Sequence, residues 1–234
     1  MKRLPNNIHR WLALAAGFVL ITTTYLSAED WPQWRGINRD AVWNDSGVID
    51  KFPNDGLTVK WSAPVRGGFA GPAVADGRVF VLDYQETPES RTMDGHERLV
   101  VFDEETGALL WQQEWPATYR NLQFKFATGP RAVPTVDEHR VYTLGAAGML
   151  SCFDTGTGDL LWRVDTVTDY DSTVPVQGTS QAPIVEGDLL IAAVGGEPDA
   201  KVVAFDKVTG DEVWRALDNI SETGYSAPIV IDAG

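Results

Sequence analysis

A few residues along the chain are of types, and at spacings, that can do chemistry. Asp165, Asp169 and Asp171 crowd one short stretch and can offer oxygen ligands to calcium. Their spacing matches no EF-hand loop, and no glycine stands at the turn position such a loop needs. Arg120, Lys125 and Arg131 lie close together in an acidic chain, interleaved with Tyr119, Phe124 and Phe126. Such a set can hold an anion or a carboxylate-bearing ligand, although solvated loop charges give the same pattern. His96 and His139 have no second His, Cys or Glu at ligand spacing. Cys152 is the sole cysteine, so it forms no intrachain disulfide, and Ser151-Cys152-Phe153 reads as a buried strand. No nucleophile elbow, phosphate loop or zinc-protease motif is present. No catalytic, cofactor-binding or metal-binding residue is therefore assigned.

The elements that must position these residues come from an internal repeat. Phe102-Asp103 to Trp111, Phe153-Asp154 to Trp162, and Phe205-Asp206 to Trp214 all read F-D-x-x-T-G-x-x-x-W. The Asp positions lie 51 and then 52 residues apart, and so do the Trp positions. Each copy reads as a hairpin. The Asp carboxylate can bond turn N–H groups, Thr supports the turn, and Gly supplies a positive φ. A second element precedes each copy: Ala70 to Val74 through Asp76-Gly77 to Arg78–Leu82, Ala132 to Val136 through Asp137-Glu138-His139 to Arg140–Leu144, and Gln181 to Val185 through Glu186-Gly187-Asp188 to Leu189–Ala193.

Four short antiparallel strands per period of about 50 residues are the signature of a propeller blade. The fold class expected is an all-β β-propeller of about three complete blades plus partial ones, an incomplete ring. Apolar runs such as Leu189 to Val194 fit sheets covered on both faces. Leu57 to Val65 reads as a lone outer strand carrying Trp61, and Gly224 to Val230 as the opening of a fourth unit. A longer natural protein is expected on these grounds. In this topology the A–B and C–D turns share one edge. The long connections Tyr84 to Arg98, Gln113 to Arg131, Arg163 to Gln181 and Gly195 to Ala200 share the other, which is the expected functional face. Arg131 precedes an inner strand and can point into the central channel.

Residues 1–28 read as a signal peptide: Lys2, Arg3 and Arg10, then an apolar run from Trp11 to Leu26, then Ser27-Ala28. Its loss would take the net charge from −14 to −17. Residues 29–56 form a leader and 57–234 the repeats. So acidic a surface disfavours nucleic acid as a partner.

With these residues in hand, the chain resembles the pyrroloquinoline-quinone-like (PQQ-like) propeller repeat family. Trp111, Trp162 and Trp214 match that family's blade-docking tryptophan, and Trp61 is similar. Asp30-Trp31-Pro32-Gln33-Trp34-Arg35-Gly36 resembles the mature start of secreted bacterial members. The family holds both quinone-dependent dehydrogenases and non-enzymatic scaffolds such as the outer-membrane assembly lipoprotein. The dehydrogenases carry an adjacent cysteine pair beside the cofactor, from which this chain departs. The resemblance therefore implies an exported binding or assembly scaffold of the periplasm or cell envelope, with protein partners on the long-loop face. The alternative is a PQQ-dependent oxidoreductase, and only then would PQQ with calcium be expected as cofactor.

Overall fold

A computed structural model describes residues 28–46, 48–123 and 128–231. The expected signal segment, Phe124, Lys125 and Phe126 lie outside these, apart from Ala28. The described chain forms twelve strands and one short helix. The first blade holds β1 (Ala73–Ala75), β2 (Arg78–Glu86), β3 (Asp94–Asp103) and β4 (Leu109–Thr118). The second holds β5 (Thr135–Asp137), β6 (Arg140–Leu144), β7 (Met149–Asp154) and β8 (Leu160–Asp165), followed by α1 (Thr166–Tyr170). The third holds β9 (Ile184–Glu186), β10 (Leu189–Ala192), β11 (Val202–Asp206) and β12 (Glu212–Ala216). Each blade is a four-stranded antiparallel meander in chain order. The architecture is an incomplete β-propeller of three blades.

The repeat motif builds the joints between blades. Within each blade the tryptophan pairs with the third strand at Val101, Cys152 or Ala204, and a bulge follows immediately. A bulge re-aims the side chains beside it. Trp111 Nε1 donates to Thr155 O of the second blade at 3.0 Å, and Trp162 Nε1 to Lys207 O of the third at 3.3 Å. Trp61 repeats the contact, donating to Glu104 O of the first blade at 2.8 Å. The T-G glycine serves two purposes. Gly107, Gly158 and Gly210 have φ of 71°, 79° and 78°. A Cβ on them would also lie 2.5 to 2.8 Å from the docked indole of Trp61, Trp111 or Trp162. The motif Asp carboxylates accept turn N–H groups as expected: Asp103 from Thr106, Asp154 from Gly156 and Thr157, Asp206 from Val208 and Thr209.

Two apolar clusters fill the seams. Phe80, Leu99, Val101, Trp115, Val141 and Phe153 join the first and second blades. Tyr142, Leu150, Cys152, Trp162, Leu190 and Phe205 join the second and third. Cys152 is fully buried, and burial pushes its thiol up to about 12.

Two expectations are corrected. The connection from Tyr84 to Arg98 is mostly not a loop, because β2 and β3 stay paired out to Glu86 and Gly95. An Asp83–Arg98 ion pair with contacts of 2.6 and 2.7 Å, and the Tyr84–Tyr119 stack at 4.2 Å, give this ribbon a buried face. β4 likewise runs on to Thr118. Residues 57–65 form no strand; the Trp61 indole and a Lys60–Glu105 ion pair at 2.5 Å tie them to the C–D turn of the first blade. Residues 224–231, where a fourth unit is expected to open, are tied to the segment ahead of β9, since Ser180 Oγ and Gln181 Nε2 donate to the Tyr225 and Gly224 carbonyls.

Candidate functional site

The leader lies across the inner strands of all three blades. Trp31 exchanges backbone hydrogen bonds with Val74 of β1 at 2.8 and 3.0 Å. Pro32 O accepts from Val136 N of β5 at 2.8 Å. Arg39 pairs with Glu186 of β9 at 3.1 Å and bonds Val185 O. The chain's own leader thus fills part of the axis that inner strands would otherwise line.

Above it remains an axial cavity of about 750 Å³. Its wall comes from residues just ahead of the inner segments, Val133, Ala182 and Ala227, with Trp34, Arg35 and Arg131. Arg131 therefore faces the axis, as its position ahead of β5 led one to expect. Its guanidinium carbon sits 4.4 Å from the Phe69 ring centroid.

The long-loop face carries a second concavity, about 380 Å³, between the first two blades. Thr118, Arg120, Leu122, Ala147, Val167 and Val174 line it. This notch rests on a firm base that sequence reasoning missed. Glu97 is fully buried and accepts from Tyr119 Oη at 2.6 Å, Ala146 N at 2.7 Å and Trp115 Nε1 at 3.0 Å. Burial pushes its carboxyl above the ordinary value, while these donors and Ala147 N–H pull it back. A Cβ at Gly145 would come within 1.8 Å of Glu97 Oε2, so the second blade's turn approaches through a glycine. A buried carboxylate needs such partners to stay folded in. Glu97 thereby fastens the first blade to the 145–147 turn of the second.

The aspartates near α1 serve the helix. Asp165 is its N-cap and accepts from Val167 N and Thr168 N, Asp169 accepts from Asp165 N, and Asp171 is the left-handed C-cap with φ 52°. Arg120 and Arg131 fall in different concavities, so the structure does not gather them into one anion site. A quinone held beside paired cysteines does not fit these residues. Cys152 sits in the seam between the second and third blades and lines neither concavity.

Comparison with known proteins agrees with the propeller fold. Residues 95–230 match the family model described as outer membrane protein assembly factor BamB. The outer membrane protein assembly factor BamB of Kangiella koreensis is 25% identical over 117 residues, covering 50% of this chain and 26% of that protein. Quinohemoprotein alcohol dehydrogenase ADH-IIG of Pseudomonas putida is 27% identical over 115 residues, covering 48% of this chain and 16% of that protein. The crystal structure of quinohemoprotein alcohol dehydrogenase from Comamonas testosteroni superposes with a TM-score of 0.58 at 23% identity. That match covers 80% of this chain and 27% of the dehydrogenase. The matched regions are thus about a quarter or less of these proteins' lengths. The repeat, the docked tryptophans and the matched family model agree: the chain belongs to the PQQ-like β-propeller repeat family.

Proposed function

We propose that this propeller is an exported scaffold of the cell envelope that engages protein partners through its long-loop face. The observation that carries the reading is the notch beside Arg120 and Leu122, set on the Glu97 network. Apolar side chains beside an exposed arginine on a rigid base are the ingredients of a protein-binding hot spot. The matched family model and the Kangiella koreensis relative, both described as outer membrane protein assembly factor BamB, support it. In this reading the chain is cleaved near Ala28, and N-terminal sequencing of exported protein begins at or near Glu29.

The second reading, a quinone-dependent oxidoreductase, is favoured by the alcohol dehydrogenase relative and by the axial cavity with Arg35 and Arg131. A PQQ titration with and without calcium, followed by dye-linked alcohol oxidation, separates the two. The scaffold reading expects neither stoichiometric binding nor turnover. Calcium-dependent binding at one quinone per chain, with dye reduction, would replace it by the oxidoreductase reading.

A further inference from the structure

Trp61, Trp111 and Trp162 dock between blades, and Trp115 anchors Glu97. Three tryptophans of the leader have no such duty. Trp31, Trp34 and Trp43 line one cavity of about 580 Å³, with Pro72, Glu29 and Glu104 beside them.

The cage is built into the fold. Trp31 is fixed by its backbone pairing to Val74, and its ring covers Gly36, where a Cβ would lie 2.8 Å away. Glu29 accepts the Asn44 N–H at 2.8 Å, which holds the Trp43 segment against the start of the leader. Trp34 and Trp43 are each 51% exposed, so the opening is aromatic and reaches solvent.

The lining decides the ligand class. Its side chains include no amide, guanidinium, imidazole or hydroxyl group; indole N–H groups aside, the polar ones are the two glutamates. A sugar needs several donors and acceptors for its hydroxyls, and this wall supplies few. An anion would meet two carboxylates in a chain of net charge −14. A cation without N–H donors asks for no hydrogen bonds; ring faces attract it and nearby carboxylates add to the field.

We infer that the leader cage binds a quaternary ammonium group carried by a free, water-soluble molecule of the choline type. A free molecule suits the site, because the cavity lies in the seam between leader and β1 and is walled by Val74 and Val133 of the inner segments.

Isothermal titration of the full chain with choline chloride tests this. Its uncharged isostere 3,3-dimethyl-1-butanol, maltotriose and phosphatidylcholine vesicles serve as the other arms. The expected result is saturable binding of choline at one site, with the isostere about tenfold weaker. Trp43→Ala should weaken choline by about fivefold or more while leaving the urea midpoint within error. Trp34→Leu and Glu29→Gln provide independent variants should Trp43→Ala loosen the leader. No saturable choline binding, or equal binding of the isostere, would overturn the proposal. So would preference for maltotriose, binding to vesicles without free choline, or indifference to all three substitutions.

Discussion

Replacing Trp162 by alanine probes the joint between the second and third blades, and Trp214 at the same repeat position provides its control. Trp162 is 9% exposed and packs against Tyr142, Phe205 and Gly210, whereas Trp214 is 37% exposed. A buried tryptophan hides roughly 200 Å², worth about 5 kcal/mol at ~25 cal/mol per Å². Residual compactness of the denatured chain trims that to about 3–4.5 kcal/mol. The lost indole bond adds little, because Tyr142 Oη still donates to Lys207 O at 3.0 Å. Trp162→Ala should therefore cost about 3–5 kcal/mol, the usual range for a large-to-small core change. Trp214 meets no docking turn among the described residues, and at 37% exposure the same bookkeeping gives Trp214→Ala a smaller cost of about 2–3 kcal/mol. Urea unfolding followed by circular dichroism and tryptophan fluorescence measures both, provided the two probes coincide. A cost below about 1 kcal/mol at Trp162, or equal costs at the two positions, would refute the docking argument.

Other perturbations separate backbone from packing effects. Gly158→Ala places a methyl 2.8 Å from the Trp111 ring at φ 79°, whereas Gly187→Ala, at φ 58°, meets nothing within 4 Å. Both should lose about 1–2 kcal/mol of left-handed backbone strain, and Gly158→Ala clearly more in urea midpoint. Asp103, Asp154 and Asp206 are held below the ordinary aspartate value, Asp103 chiefly by the Thr106 hydroxyl and the other two by turn N–H groups. Their contribution is complete above the unfolded value of about 3.9 and is lost as pH falls through the lower folded values. Unfolding midpoints should therefore drop with acid below about pH 4, less steeply in Asp154→Asn than in the parent. Glu97→Gln keeps the shape but turns an NH2 toward a donor, and should cost about 1–3 kcal/mol; Glu97→Leu, which strands every donor, should cost more. Equal losses for Gln and Leu would show that the hydrogen bonds at Glu97 are not what holds the 145–147 turn.

The blades were legible because the repeat places the same physics in the same place three times. Asp caps the turn, Gly takes the positive φ and Trp reaches the next blade. What stayed hidden departs from the repeat. Glu97 lies in a ribbon that only the first blade extends, and its partners Tyr119 and Ala146 are distant in sequence. One signal was present: Glu97 alternates with Leu99 and Val101 along β3, so the carboxylate shares the core-facing side of that strand. The leader's course along the inner strands gave no such sign, because Trp31 and Pro32 bond through their backbones. The loop aspartates looked like ligands since capping and metal binding draw on the same residue types. Only the φ angles and N–H contacts at α1 tell them apart.

Photocrosslinking from defined positions tests the scaffold reading most directly. A photoreactive side chain replaces Asn121 beside the notch, or Gly187 in the A–B turn on the opposite edge. The full chain is then irradiated in the cell envelope. A discrete adduct from Asn121, absent from Gly187 and suppressed by Arg120→Glu, is the expected result. Adducts of equal yield from both edges, or from Gly187 alone, would contradict a scaffold that works through its long-loop face.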